Sequence, residues 1–197
     1  MSFWTQTDVA DIQDPKRKFR FYIYFAGIST EGGGGTAWWA KSINKPSFTI
    51  ASAEHKYLNH TFYYPGSVTW NEVTCTLVDP VNPDLTATLT DIVQAAGYSP
   101  PSTDGLDDKQ TMSKKGAVGS LGAVTIVQID GEANLLESWT LKNAWISDLK
   151  YGDLEYGSDD LVELSVTLKY DWASLDDLAY PSVKIDPNGG QGPFFTI

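Results

Sequence analysis

The chain has 197 residues and a formal net charge of −11. That balance argues against groove or backbone binding of nucleic acid, whose affinity comes from Lys and Arg against phosphate. One cysteine, Cys75, excludes a disulfide framework and any cysteine-based zinc site, while 42% hydrophobic and 13% aromatic residues suffice for a sizeable core.

Residues 1–18 are polar, carry no apolar stretch of the kind a secretory signal needs, and end in Lys16-Arg17-Lys18; they read as an arm. No apolar run approaches the length of a membrane span, so the Asn59-His60-Thr61 sequon is not read as a glycosylation site. Residues 19–26 alternate Phe19, Phe21, Ile23 and Phe25 against Arg20, Tyr22 and Tyr24, a first strand with both faces largely covered. A glycine-rich loop follows. Residues 37–66 read as two or three short strands with a turn near Asn44-Lys45-Pro46. Residues 67–79 predict a long strand that contains Cys75 and is closed by Pro80. Asn82 suits an N-cap, Pro83 the first helical position and Gly97 a C-terminal stop. Leu85, Leu89, Ile92, Val93 and Ala96 between them form one stripe, so a single main helix is expected over 82–97. Residues 98–119 are rich in turn formers and charge and predict a long loop. Strands are expected at 122–130, 136–148 and 160–172, and a C-terminal arm over 174–197. The fold class is therefore mainly β: an antiparallel sandwich or barrel with one main helix, in one domain spanning 19–173.

The strand 160–172 has the longest alternation. Val162, Leu164, Val166, Leu168, Tyr170 and Trp172 share one face, and Glu163, Ser165, Thr167, Lys169 and Asp171 share the other. The apolar face belongs on a core. The polar face looks either at water or at something that must pass without sticking.

Catalysis needs a base, nucleophile or metal in a defined constellation. His55 and His60 are five apart, which a single strand would put on opposite faces. Gly32–Gly35 lacks the Lys-Ser/Thr of a phosphate loop. The pairs Asp107-Asp108, Asp159-Asp160 and Asp176-Asp177 fall in expected turns, where solvated acids are the plain reading and paired glycosidase carboxylates the sharper one. No enzymatic activity and no cofactor or metal are expected.

LEYGSDDLVELSVTLKYDW (154–172) resembles the final strand region of the tail-tube proteins of T-even-like contractile bacteriophages. KFRFYIYF, WWAKSINKPSFTI, FYYPGSVTWNEVTCTLVD and WTLKNAWISDLKYGDLEY follow the same family's order, so the resemblance covers about residues 16–173. It implies a six-fold ring whose strands join edge to edge into one continuous inner β-barrel, with rings stacked into a tube. Implied partners are further copies of the chain, a tail sheath protein, a tape-measure protein, and baseplate and tube-terminator proteins. Viral DNA would pass through without specific binding. The implied location is the virion, after assembly in the host cytoplasm.

On that reading Glu163, Ser165, Thr167, Lys169 and Asp171 are candidates for the lumen face. Trp38, Trp39, Lys45, Pro46, Phe48, Phe194 and Phe195 are candidates for contacts between subunits or rings. The longer loop 98–119 and tail 174–197 also fit a tube initiator or terminator paralogue. A tube protein of a bacterial injection or type VI system is the near alternative. A more distant one is a carbohydrate-binding β-module, with Trp38, Trp39 or Trp145 on an exposed platform.

Overall fold

The computed structural model describes residues 15–28, 39–82, 84–99, 111–157 and 159–177. In chain order its elements are β1 (Phe21–Phe25), β2 (Ala40–Ile43), β3 (Phe48–Tyr57), β4 (His60–Trp70), β5 (Val73–Val78), α1 (Leu85–Ala95), α2 (Lys114–Leu121), β6 (Val124–Ile129), β7 (Leu135–Lys142), β8 (Trp145–Lys150), β9 (Glu163–Lys169) and β10 (Trp172–Asp177). Two four-stranded antiparallel sheets form, one in the order β1-β6-β7-β10 and the other β2-β5-β9-β8; β3 and β4 pair only with each other.

The alternation seen in the sequence builds the core. Val73, Cys75 and Leu77 of β5 lie in register with Leu168, Val166 and Leu164 of β9, and all six are fully buried. From the other sheet come Ile23, Phe25, Val124, Ile126, Leu141 and Ala173. Each buried aliphatic side chain contributes roughly 1.5–3 kcal/mol relative to exposure. Cys75 is a packing residue: burial pushes its thiol up to about 12, which leaves it protonated and inert.

Several expectations are corrected. The stretch 37–66 gives one short strand followed by a long hairpin of 10- and 11-residue strands. The strand expected at 67–79 is two, because β4 ends at Trp70 and β5 begins at Val73. The strand expected at 136–148 is also two, turning at Asn143, whose φ of 56° is tolerated by asparagine. The helix begins at Leu85: Asp84, not Asn82, caps it, accepting from the Ala87 amide at 2.9 Å. Asp79 adds acceptors for the Leu85 amide and the Thr86 hydroxyl. Gly97, with φ of 109°, does end it.

Part of the expected loop is α2. Ser113 caps it through the Gly116 amide. A Cβ at Gly116 would stand 2.9 Å from the Ala96 carbonyl oxygen, so this glycine lets the two helices pack closely rather than marking a loop. Part of the expected C-terminal arm is β10, which pairs along its whole length with β7. On the second face of β1 Tyr22 is half-buried and Tyr24 exposed, so that face is only partly covered.

Candidate assembly surfaces

The first surface is the outward face of the sheet β2-β5-β9-β8. Because Val73, Cys75 and Leu77 point inward, Thr74, Thr76 and Val78 point out, in register with Thr167, Ser165 and Glu163. Ser42 of β2 joins Thr76, and Asp148 and Lys150 of β8 join Thr167 and Ser165. Hydroxyl side chains thus cover the middle of the face. Its charges are paired: Lys41 bonds Glu163, Lys169 lies 3.0 Å from Glu72, and Lys150 lies 3.5 Å from Asp148. The hydrogen bond to Glu163, with that carboxylate's charge, raises the Lys41 ammonium above its ordinary value.

Four of the five residues expected on the polar face of 160–172 stand in this row: Glu163, Ser165, Thr167 and Lys169. Asp171 does not. The strand ends at Lys169, and the Asp171 carboxylate accepts from Lys114 and Asn143, each at 2.7 Å. Those two hydrogen bonds hold its carboxyl below the usual range.

The second surface is a pair of open strand edges. β2 and β8 bound this sheet and carry unpaired backbone groups outward among the described residues. β2 and β9 run one way, β5 and β8 the other. A second copy placed beside the first, without inverting the strands, would bring its β8 antiparallel to this β2. Such an edge is an aggregation template unless it is covered or paired.

The third surface is the hairpin β3–β4. Register places Ala53, His55, Tyr57, His60, Phe62 and Tyr64 on one face of its outer half. The turn at Leu58-Asn59 therefore brings His55 and His60 to the same face, correcting the single-strand expectation. Tyr57 is 63% exposed, Tyr64 55% and Phe62 49%, and Leu58 at the tip is 86% exposed with φ of 51°. A cluster of this kind on a monomer marks a contact site.

The hairpin is held at its root. Phe48 packs on Trp70 with ring centroids 5.1 Å apart, and Trp70 on Tyr170 at 5.9 Å. Lys45, just before β3, bonds Glu137 and donates to Gln128 at 2.7 Å, and Lys16 bonds the same Glu137. These groups line a cleft of about 790 Å³ with Phe21, Ile43 and Trp139. Burial raises the Glu137 carboxyl, but Lys16 and Lys45 together outweigh it and hold the pKa below the ordinary value.

Among the expected contact residues, Lys45, Pro46 and Phe48 thus sit at the hairpin root, with Pro46 buried. Trp39 is corrected: it is 4% exposed and belongs to the core. Trp38, Phe194 and Phe195 lie outside the described residues. The outer hairpin, the richest apolar surface, was missed. Its signal was present as the aromatic run Phe62-Tyr63-Tyr64. Among the described residues no group of three or more His, Cys, Asp or Glu could hold a metal ion. No helix there is long and apolar enough to cross a membrane.

Three solved structures share this architecture. A chain of the anti-feeding prophage baseplate, six-fold symmetrised, gives a TM-score of 0.59 at 15% identity and covers 85% of this chain and 99% of its own. A chain of the sheath–tube complex of an extracellular contractile injection system, PVC, in the extended state gives 0.61 at 16% identity, with 88% and 100% covered. A chain of the anti-feeding prophage tube-terminating cap gives 0.59 at 15%, with 88% and 100% covered. No protein-family model and no curated protein matches the sequence. At these identities the likeness is one of fold.

Proposed function

We infer that this chain is a structural, non-enzymatic subunit of the tube of a contractile, phage-tail-like machine. The observation that carries the reading is the sheet β2-β5-β9-β8. Its four alternating strands end in edges of opposite sense, so copies related by rotation extend it without a parallel junction. Closing the ring removes every edge of that sheet, which is the complete solution to the edge hazard. Six copies, the number the family resemblance implies, give one continuous inner barrel.

The hydroxyl-covered, ion-paired face then lines the lumen, with Glu163, Ser165, Thr167 and Lys169 in its wall. The exposed hairpin reaches the next ring, where Tyr57, Phe62 and Tyr64 are covered. The partners of such a tube are copies of itself, a sheath, a tape-measure protein, a baseplate and a terminator.

Two machines use such a tube. The sequence motifs resemble a phage tail, which supports a virion component with DNA passing through. The structural likeness to anti-feeding prophage and PVC chains favours an injection particle.

Negative-stain electron microscopy of the purified protein over a concentration series tests the common core of both. Six-fold rings or stacked tubes with a stained channel are expected. A monomer that stays monomeric when seeded with a preformed baseplate overturns the reading.

A further inference from the structure

The outward face of the sheet β2-β5-β9-β8 carries three lysines, in a chain that is otherwise strongly acidic. Lys41 stands on β2, Lys150 on β8 and Lys169 at the end of β9. A lysine on a lumen wall is an anchor for phosphate or for any other polyanion. Each of these three has a carboxylate of its own from a different place in the sheet. Glu163 of β9 reaches across to Lys41, Glu72 in the turn before β5 meets Lys169, and Asp148 shares β8 and the same face with Lys150. All six side chains are at least partly exposed, so none is needed for the core, and exposed pairs contribute little to stability. Their effect is on the field. The three pairs cancel one another over a hydroxyl surface, and Asp153 and Asp160, which line the cleft beside Lys41 and Glu163, add the remaining negative charge at its edge, whereas the chain as a whole stands at −11.

We propose that Glu72, Asp148 and Glu163 are masking carboxylates: they cancel Lys41, Lys150 and Lys169, so that a charged polymer of either sign passes this face without being retained. The proposal rests on the reading of this face as a lumen wall. It adds that the wall is neutralised pair by pair rather than made uniformly acidic. A uniformly acidic wall repels polyanions but holds cationic polypeptide. A paired wall holds neither, which suits a conduit whose cargo includes both anionic and cationic stretches.

The test uses the full chain and two labelled probes, a single-stranded oligonucleotide and oligolysine, read by fluorescence anisotropy at low and rising salt. The parent protein is expected to bind the oligonucleotide negligibly. The variant E72Q/D148N/E163Q leaves the three lysines uncancelled. It should bind the oligonucleotide at least tenfold more tightly at low salt, with a log–log salt slope of about −2 for three phosphate contacts on a single strand. The mirror variant K41Q/K150Q/K169Q should gain oligolysine binding instead. The control D91N/E132Q/D176N changes net charge by the same amount at exposed positions off this face, and should gain nothing.

Equal oligonucleotide binding by the control and the E72Q/D148N/E163Q variant overturns the proposal, because the effect would then be global charge. Normal rings by electron microscopy with no gain in either face variant also overturn it, and leave the tube reading standing. A gain of binding in a chain that never forms rings overturns the tube reading and, with it, the role of masking in transit.

Discussion

The strands β5 and β9 and the strands β3 and β4 are both strand-forming antiparallel pairs with opposite fates. Both pairs are antiparallel and carry strand-forming residues, aliphatic with Thr in β5 and β9, aromatic with Thr in β3 and β4. In β5–β9 every second residue is fully buried by the opposing sheet. In β3–β4 no residue is buried by the described part of the chain, and among the described residues the anchorage is at the root. Strand propensity is therefore the same kind of signal in both; what differs is who supplies the covering surface. For the sandwich it is the other sheet. For the hairpin no described part of the chain supplies it, and on the proposed tube reading the next ring does, because isolated two-stranded ribbons are marginal in water.

The sharpest way to break this contrast is to truncate an inward residue of β9. Leu168→Ala removes a fully buried side chain opposite Val73 and should lower stability by about 2–5 kcal/mol. Urea unfolding of the subunit measures it. Glu163→Ala, one face over, should change stability by less than about 0.5 kcal/mol. The reverse ranking would invert the assignment of faces.

That assignment was legible in the sequence because Leu164, Val166 and Leu168 alternate with Glu163, Ser165, Thr167 and Lys169, and a period of two has one solution in a half-buried sheet. The helix α1 was legible from its stripe and Gly97. α2 was not, because Gly116 and Gly119 weaken its propensity, and the close approach to Ala96 that makes Gly116 useful is a tertiary fact. Trp39 read as a contact residue because exposure cannot be seen in an aromatic pair. The hairpin read as short strands because Pro65 and Gly66 look like a break; in the fold Pro65 pairs with Ser52 and Gly66 stands against Ala51, at a register shift where a bulge accommodates them.

A second test loosens the joint between the two regions. Glu137→Gln leaves Lys16 and Lys45 without their carboxylate and should cost about 1–3 kcal/mol near neutral pH. The Glu137 pKa is lowered in the fold, so its contribution is present above the ordinary carboxyl value and fades as pH falls through the lower one. Parent and variant should therefore converge in acid, below about pH 4. Thermal melts from pH 7 to pH 3 would show a difference that closes downward. A gap that widened in acid would mean the carboxylate is not held by the two lysines.

A smaller effect is expected at the helix that caps the sandwich. Asp84→Ala removes the side-chain acceptor for the Ala87 amide and should cost about 0.5–2 kcal/mol, read in the same melts, without altering assembly. It is a control on the contrast, a loss of local structure in a helix cap that belongs to neither strand pair.

The smallest change in stability should accompany the largest change in assembly. Phe62→Ser with Tyr64→Ser removes two aromatics from the outer hairpin, where neither is covered by the described part of the chain. The subunit's melting temperature should stay close to the parent's, since surface substitutions are usually within about 0.5 kcal/mol. Rings should still form, because the edges β2 and β8 are untouched. Stacking of rings into tubes should fail, because the covering partner has lost its apolar target. Sedimentation resolves rings from tubes and makes the two losses separable. If instead the double variant unfolds, the hairpin is covered from within and the contrast collapses. If it stacks normally, the aromatic face serves some contact other than the next ring.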